Sequence, residues 1–218
     1  MQALAVVSGL ADKKKYAALL SVFKEEEHAS PYMEKYVMEA LFQMDEADFA
    51  LARHKKRFDT MVNHPQFTTL WEGWNFNDPK YGGGTINHSW SGGALTVLAQ
   101  YLCGVAPVEP GYKLFQIKPN PGYMDTASAT VSSVAGEIKT SFSNKQHQLI
   151  IYASVPATTA AVLSVPANFD KVTVNRKVVW KNGKYTRQAQ AQLSQDGYLN
   201  FKVTSGEWEL VATRKRKL

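Results

Sequence analysis

The chain has 218 residues, of which 44% are hydrophobic and 20% are charged, and this composition is that of a folded globular protein. It excludes a disordered chain, a collagen-like fibre and a disulfide scaffold, since Cys103 is the one cysteine. No run approaches about 18 consecutive apolar residues, so we expect no membrane-spanning helix. Residues 1–10 are too short and uncharged for a secretory signal, which leaves the compartment open.

The net charge of +6 is divided unevenly along the chain. Residues 1–107 carry 10 Lys or Arg and 12 Asp or Glu, whereas residues 108–218 carry 15 and 7. Part of the positive excess lies in the tail at residues 214–217 (RKRK), and the rest is scattered. No recognisable nucleic-acid-binding motif accompanies this charge, so we expect no nucleic-acid partner.

Apolar residues at spacings of three and four predict helices over residues 1–64. Ser30 followed by Pro31 is typical of a helix start, with a capping side chain before proline at the first helical position. Asp45 is predicted to cap the next helix, with Asp48 three residues later. The pattern stops after residues 64–65 (HP).

Residues 65–85 form a long loop that contains Trp71, Trp74, Phe76 and Tyr81 and ends with glycines at 82–84, which we interpret as a flexible turn. Loops of this length inside a compact domain are usually functional or disordered, and the aromatic content argues against disorder. Residues 86–105 return to a helical pattern, for which Asn87 is the expected cap.

From residue 108 onward the apolar period falls to two, which predicts eight or nine short strands and an antiparallel β-sandwich. Strands are predicted at 115–118, 127–131, 137–142, 149–155, 160–165, 172–174, 177–180, 199–203 and 207–211. The predicted fold class is therefore α+β with two domains, residues 1–107 and residues 108–218. About five helices do not close an α-domain, so we interpret the helical half as the end of a larger array that begins before Met1.

Residues 68–74 (TTLWEGW) place one carboxylate, Glu72, between two tryptophans. Apolar walls raise the pKa of a carboxyl group and suit it to acid–base work near neutral pH. Flat aromatic faces also stack on the apolar C–H faces of sugars. The alternative is that Trp71 and Trp74 are core residues and that Glu72 is a loop carboxylate facing solvent.

Residues 68–74, a glycine-rich stretch and residues 86–93 (INHSWSGG) together resemble the signature of glycoside hydrolase family 78. Residues 30–32 (SPY), 104–107 (GVAP), 110–112 (PGY) and 115–119 (FQIKP) also resemble segments of that family. Its members are bacterial α-L-rhamnosidases with an (α/α)6 barrel catalytic domain. The resemblance implies that residues 1–107 are the last part of such a barrel and that residues 108–218 are the following β-sandwich.

The resemblance also implies roles for individual residues. Glu72 would be the general base of an inverting mechanism, while the general acid lies in an upstream segment that nothing in this chain matches. His88 would hydrogen-bond a sugar hydroxyl, with a capping or core histidine as the alternative. Trp71 and Trp74 would form an apolar wall for the methyl group of a 6-deoxy sugar, and Tyr32 would line the pocket.

The histidines and Cys103 show no metal-ligand spacing, so we expect no metal or cofactor. The expected partner is a rhamnose-containing glycan or glycoside. Two other interpretations stay open: a non-catalytic fragment or carbohydrate-associated β-sandwich module, and another six-hairpin glycosidase that acts on a different sugar, such as glucosides or glucuronides. Fold alone does not decide among them.

Overall fold

The computed structural model describes residues 1–75, 84–186 and 191–214, and the chain divides into two compact units, residues 1–98 and residues 99–218. The sequence placed the division at 107/108. A π-helical turn, Leu98–Leu102, carries the chain into the second unit. There the amide of Asn120 donates to the carbonyl of Tyr101 at 3.0 Å, which ties the end of this turn to residues that follow the first strands.

The first unit is helical, as its periodicity predicts. Its α-helices are α1 (Gln2–Val7), α2 (Tyr16–Glu25), α3 (Pro31–Gln43), α4 (Ala47–Val62) and α5 (Gly93–Val97). The helical segment predicted at 86–105 is shorter and not of one type. A 3-10 turn (Ser89–Gly92), α5 and the π-helical turn follow one another over residues 89–102. Adjacent glycines at 92 and 93, which are poor helix formers, mark the change of helix type.

Of the three predicted helix caps, the structure confirms one. The Ser30 hydroxyl accepts a hydrogen bond from the Met33 amide at 3.4 Å, with Pro31 at the first helical position, which confirms that cap. The Asp45 cap is wrong, because α4 begins after Glu46 and Asp45 adopts a positive φ of 63°. The Asn87 cap is also wrong, because the 3-10 turn begins one residue later, after His88.

Helix α3 is the centre of the first unit and packs against α1, α4 and α5. Its buried apolar residues lie on more than one side of the helix: Val37, Met38, Ala40, Leu41 and Phe42. No helix of the described residues is long and apolar enough to cross a membrane.

In the second unit, the described residues form a mixed sheet of ten strands. They are β1 (Val105–Pro107), β2 (Leu114–Ile117), β3 (Thr126–Ser133), β4 (Gly136–Lys145), β5 (Gln148–Pro166), β6 (Lys171–Val174), β7 (Lys177–Lys181), β8 (Lys184–Tyr185), β9 (Ala191–Leu193) and β10 (Tyr198–Thr213).

The strand order is β1-β2-β5-β10-β6-β7-β8, with β4 also pairing β5, β3 pairing β4, and β9 pairing β10. The prediction of a purely antiparallel arrangement is wrong for one pair, because β2 runs parallel to β5. The hairpin β3–β4 lies between them in the sequence and supplies the long crossover that a parallel pair requires. The other registered pairs of the described strands are antiparallel.

Two long strands replace four predicted short ones. Strand β5 joins the segments predicted at 149–155 and 160–165, and β10 joins those at 199–203 and 207–211. Their register shifts between Thr204 and Gly206. Buried apolar residues of β10 occupy odd positions before this shift and even positions after it: Leu199, Phe201 and Val203, then Leu210 and Ala212. The bulge therefore keeps apolar side chains on the buried side along the whole strand.

Candidate functional site

Two segments of the predicted motif lie side by side in the first unit. The amide of Glu72 donates to the carbonyl of Thr85 at 2.9 Å, and the amide of His88 donates to the carbonyl of Leu70 at 2.8 Å. The Thr69 hydroxyl also donates to the carbonyl of Ile86. These bonds hold Glu72 and His88 on neighbouring stretches of backbone, although they are 16 residues apart in the sequence.

The Glu72 side chain is half-buried, and within the described part of the chain Thr85 orients it. Its Oε2 accepts from the Thr85 amide at 3.1 Å and from the Thr85 hydroxyl at 3.3 Å. Two donors on one oxygen restrict rotation of the carboxylate. Among the described residues, none donates a hydrogen bond to the other carboxylate oxygen, Oε1.

Trp71 lies in the apolar core of the first unit, with 1% of its surface exposed. It belongs to a cluster with Phe58 and Met61 of α4. Its backbone carbonyl accepts from the Ser91 hydroxyl at 2.6 Å, which joins the turn to the 3-10 segment. In this arrangement Trp71 supports the backbone of the neighbouring Glu72 and presents almost no surface to a ligand.

Trp74 is half-buried and packs on the same helix. Its Nε1 donates to the carbonyl of Ala29 at 2.7 Å, and its ring meets the Phe58 ring edge-on with centroids 5.0 Å apart. The guanidinium carbon of Arg57 lies 4.1 Å from the ring centroid. Both tryptophans therefore contact α4, whereas the carboxylate between them contacts Thr85.

Tyr32 and His88 are brought together through a third aromatic residue, Trp90. The His88 ring stacks on Trp90 with centroids 4.0 Å apart and an interplanar angle of 14°. The Tyr32 ring lies 5.3 Å from Trp90, tilted by 34°. Tyr32 is 38% exposed and Trp90 is 43% exposed, so this cluster offers aromatic surface to solvent.

Trp90 is the residue that sequence reasoning missed. It stands in the motif at residues 86–93, inside the segment predicted as helix, and the sequence alone assigns it no role. The exposure of Trp90 is what marks it as a candidate contact residue, and a residue pattern does not reveal exposure. The predicted loop residues Phe76 and Tyr81 and the glycines at 82 and 83 lie outside the described residues.

The described residues contain no group of three or more His, Cys, Asp or Glu side chains that would hold a metal ion. Burial raises the pKa of the Cys103 thiol to about 11, which disfavours the thiolate form that acts as a nucleophile. A cavity of about 570 Å³ in the first unit is lined by Phe23, Met33 and Arg53 among others, and by none of the predicted site residues.

Known proteins resemble both units of the chain. Residues 104–179 match the family described as the bacterial alpha-L-rhamnosidase C-terminal domain. The α-L-rhamnosidase of Formosa agariphila is 32% identical over 126 residues, which are 54% of this chain and 13% of that protein.

Two solved structures share the fold. The α-L-rhamnosidase of Dictyoglumus thermophilum has a TM-score of 0.79 at 20% identity, over 98% of this chain and 25% of that chain. The Streptomyces avermitilis α-L-rhamnosidase complexed with L-rhamnose has a TM-score of 0.77 at 21% identity, over 96% of this chain and 21% of that chain.

The chain thus spans 13% of the curated relative from Formosa agariphila and a quarter or less of the two solved chains. The likeness to the solved structures establishes the fold. Together with the sequence matches, it shows that the chain is similar to the carboxy-terminal portion of α-L-rhamnosidases of glycoside hydrolase family 78.

Proposed function

We propose that this chain is the carboxy-terminal part of an inverting glycoside hydrolase that removes terminal α-L-rhamnose, with Glu72 as its general base. The relatives that it matches in sequence are α-L-rhamnosidases, and one solved neighbour is complexed with L-rhamnose. The rhamnose-containing partner is carried over from them as part of this proposal.

The orientation of the Glu72 carboxylate is the observation that carries the proposal. Two donors from Thr85 hold Oε2, and the same residue accepts from the Glu72 amide. A general base must be held within hydrogen-bonding distance of the proton that it removes. A carboxylate fixed through one oxygen can use the other for a water molecule.

In the proposed reaction, Oε1 of Glu72 takes a proton from a water molecule as that water attacks the anomeric carbon of rhamnose. The leaving oxygen is protonated on the opposite side by a general acid from a segment outside this chain. Inverting glycosidases hold these two carboxyl groups about 6.5–9.5 Å apart, which leaves room for the water.

The aromatic cluster Tyr32–Trp90–His88 would contact the sugar. His88 would bond a hydroxyl group, and the exposed surface of Tyr32 and Trp90 would cover apolar C–H groups. Trp71 and Trp74 were predicted to meet the methyl group of the sugar. Their contacts with α4 support a different contribution, in which they shape the turn that carries Glu72.

We further propose that residues 1–107 are the last part of a six-hairpin (α/α)6 barrel and that residues 108–218 are a β-sandwich domain. The wide burial of α3 supports the first assignment, because a barrel helix has neighbours on two sides. The long bent strands β5 and β10, each with several partners, support the second, because strands that bend can pass between two packed sheets.

Hydrolysis of an aryl α-L-rhamnoside tests the proposal. We expect Glu72→Gln to lower kcat by about 10²- to 10⁴-fold, since general acid–base groups contribute about this much. The matched control is Glu25→Gln on the exposed side of α2, which should leave kcat unchanged. Proton NMR of the first product should show the inverted anomer.

Unchanged turnover in Glu72→Gln would contradict the assignment of the base, and a retained anomer would contradict inversion. Turnover of an aryl glucoside or glucuronide in place of the rhamnoside would favour another six-hairpin glycosidase. If this chain does not turn over substrate, the same variants are compared in a longer polypeptide that includes the predicted acid-bearing segment. Rhamnoside binding without turnover there would favour the carbohydrate-associated module.

A further inference from the structure

Arg57, on α4, connects two parts of the first unit that are distant in the sequence. Its side chain is 9% exposed, and its Nη2 donates to the carbonyl of Ala29 at 2.6 Å. Its Nη1 lies 3.2 Å from Oε2 of Glu27, and its Nε lies 3.5 Å from Oε1 of Glu34. Ala29, Glu27 and Glu34 therefore contact the guanidinium group from three sides.

The fourth contact of Arg57 is the Trp74 ring, 4.1 Å from the guanidinium carbon. Trp74 also donates its Nε1 proton to the carbonyl of Ala29 at 2.7 Å, so both side chains share one acceptor. A planar cation stacked on an indole ring, with a shared acceptor beside them, fixes the position and the tilt of that ring.

Trp74 is two residues from Glu72, and Trp71 holds the other end of the same short turn. Trp71 packs on Phe58 and Met61 of α4. Trp74 packs on Arg57 and Phe58 of the same helix, so α4 contacts both ends of the turn at residues 71–74. The Glu72 side chain lies between these anchors and meets Thr85 on the other segment.

We propose that Arg57 is a positioning residue for Glu72. Through Trp74 it fixes the turn so that the Glu72 carboxylate keeps its two hydrogen bonds to Thr85. The catalytic consequence of this contact rests on the function proposed above, whereas the mechanical coupling between Arg57 and Thr85 does not.

The coupling is tested by amide hydrogen exchange at Thr85, whose N–H donates to Glu72. In Arg57→Met we expect this amide to exchange about tenfold faster, because the stacked cation is lost and the turn opens more often. In Arg57→Lys the rate should be intermediate, since an ammonium can reach the Ala29 carbonyl but has no plane to stack.

Lys56→Met is the matched control. Lys56 precedes Arg57 on α4 and pairs with the same glutamate, with its Nζ 2.8 Å from Oε1 of Glu27, but it is 72% exposed. Exchange at Thr85 in this variant should stay within about twofold of the wild type. The Leu41 amide in α3 should be unaffected in every variant, which separates a local opening from unfolding.

Hydrolysis supplies the second measurement. Arg57→Met should lower kcat about tenfold with KM within about twofold, because a mispositioned base affects the chemical step and not sugar binding. Exchange at Thr85 that matches the Lys56→Met control in both Arg57 variants would overturn the proposal. If Arg57→Met does not fold, Arg57→Lys decides alone.

The two proposals fail in different ways. If Glu72→Gln leaves hydrolysis unchanged while exchange at Thr85 responds to Arg57, the coupling stands and the assignment of the base is wrong. If Glu72→Gln abolishes hydrolysis while the Arg57 variants match the control in both measurements, the base stands and the positioning role is wrong.

Discussion

Arg53 lies inside the helical unit with each of its guanidinium nitrogens bonded. Its Nε and Nη2 donate to the two carboxylate oxygens of Glu34 at 3.0 and 2.7 Å. Its Nη1 donates to the carbonyls of Phe23 and Glu26 at 2.6 and 3.2 Å. The side chains of Arg53 and Glu34 are 3% and 0% exposed, so this ion pair is screened little by water and joins α2, α3 and α4.

A buried ion pair is costly to break, because the remaining partner keeps its charge without compensation. We expect Glu34→Gln to lower the free energy of unfolding of the helical unit by about 3–5 kcal/mol. Urea denaturation followed by far-UV circular dichroism measures this change. Lys56→Met, which removes an exposed ion pair of the same helix, should cost less than about 1 kcal/mol. Equal losses in the two variants would contradict the argument.

Single residues differ in how well their sequence context predicts them. The Ser30 cap was predictable, because the capping bond joins residues three apart and Pro31 excludes most other backbone conformations. Asp45 has a capping side chain in a plausible place, but its positive φ puts it outside the helix start. The surroundings of Trp71, Trp74 and Trp90 depend on residues far away in the sequence, and their residue type does not separate a core ring from an exposed one.

At the scale of elements, the sheet is organised by two strands that are longer than the sequence predicts. Residues 156–159 of β5 resemble a turn, and Thr158 has a positive φ of 64°. The chain nevertheless continues in the same strand, because β10 pairs with β5 on both sides of this segment and only Ser205 lies opposite residues 156–159. A turn in this segment would end the strand. Because β10 pairs with β5 on both sides of it, the strand is interrupted locally and then continues.

Gly104 marks the start of β1 and comes very close to another strand end. It adopts a φ of +79°, and its carbonyl accepts from the amide of Lys118 at 3.0 Å. A Cβ atom at this position would overlap with the backbone of Lys118. Because glycine has no side chain, the backbone just before β1 can lie against the backbone just after β2.

We expect Gly104→Ala to lower the free energy of unfolding by more than about 3 kcal/mol, since left-handed strain and backbone overlap add together. Gly183→Ala separates the two effects, because Gly183 has the same φ of +79° and nothing within 4 Å of the added Cβ. That variant should cost only about 1–2 kcal/mol. Thermal unfolding of both variants measures the difference, and equal losses would show that the overlap is relieved without cost.

At the scale of the whole molecule, the second unit has a sheet whose strands all come from residues 99–218. The family match covers residues 104–179 and thus ends before β9 and β10. Strand β10 pairs with β5, β6 and β9, so the matched segment by itself lacks a central strand of the sheet.

We expect residues 99–218 to fold as an isolated polypeptide and residues 104–179 not to fold. An ¹H–¹⁵N correlation spectrum of the longer fragment should show the wide dispersion of a packed β-sheet. The shorter fragment should show the narrow dispersion of an unfolded chain, because it lacks β10, which pairs with β5 along most of the length of β5. Wide dispersion from residues 104–179 would contradict the central role of β10.

The sequence alone predicted the change from helices to strands, the positions of most elements and the motif at residues 68–93. These features follow from local periodicity and from residue types at short spacing, which are present in every window of the chain. The parallel pair β2–β5, the merging of four strands into two and the orientation of Glu72 by Thr85 followed only from the tertiary structure. Each of them depends on contacts between residues that are distant in the sequence, and a local pattern does not contain those contacts.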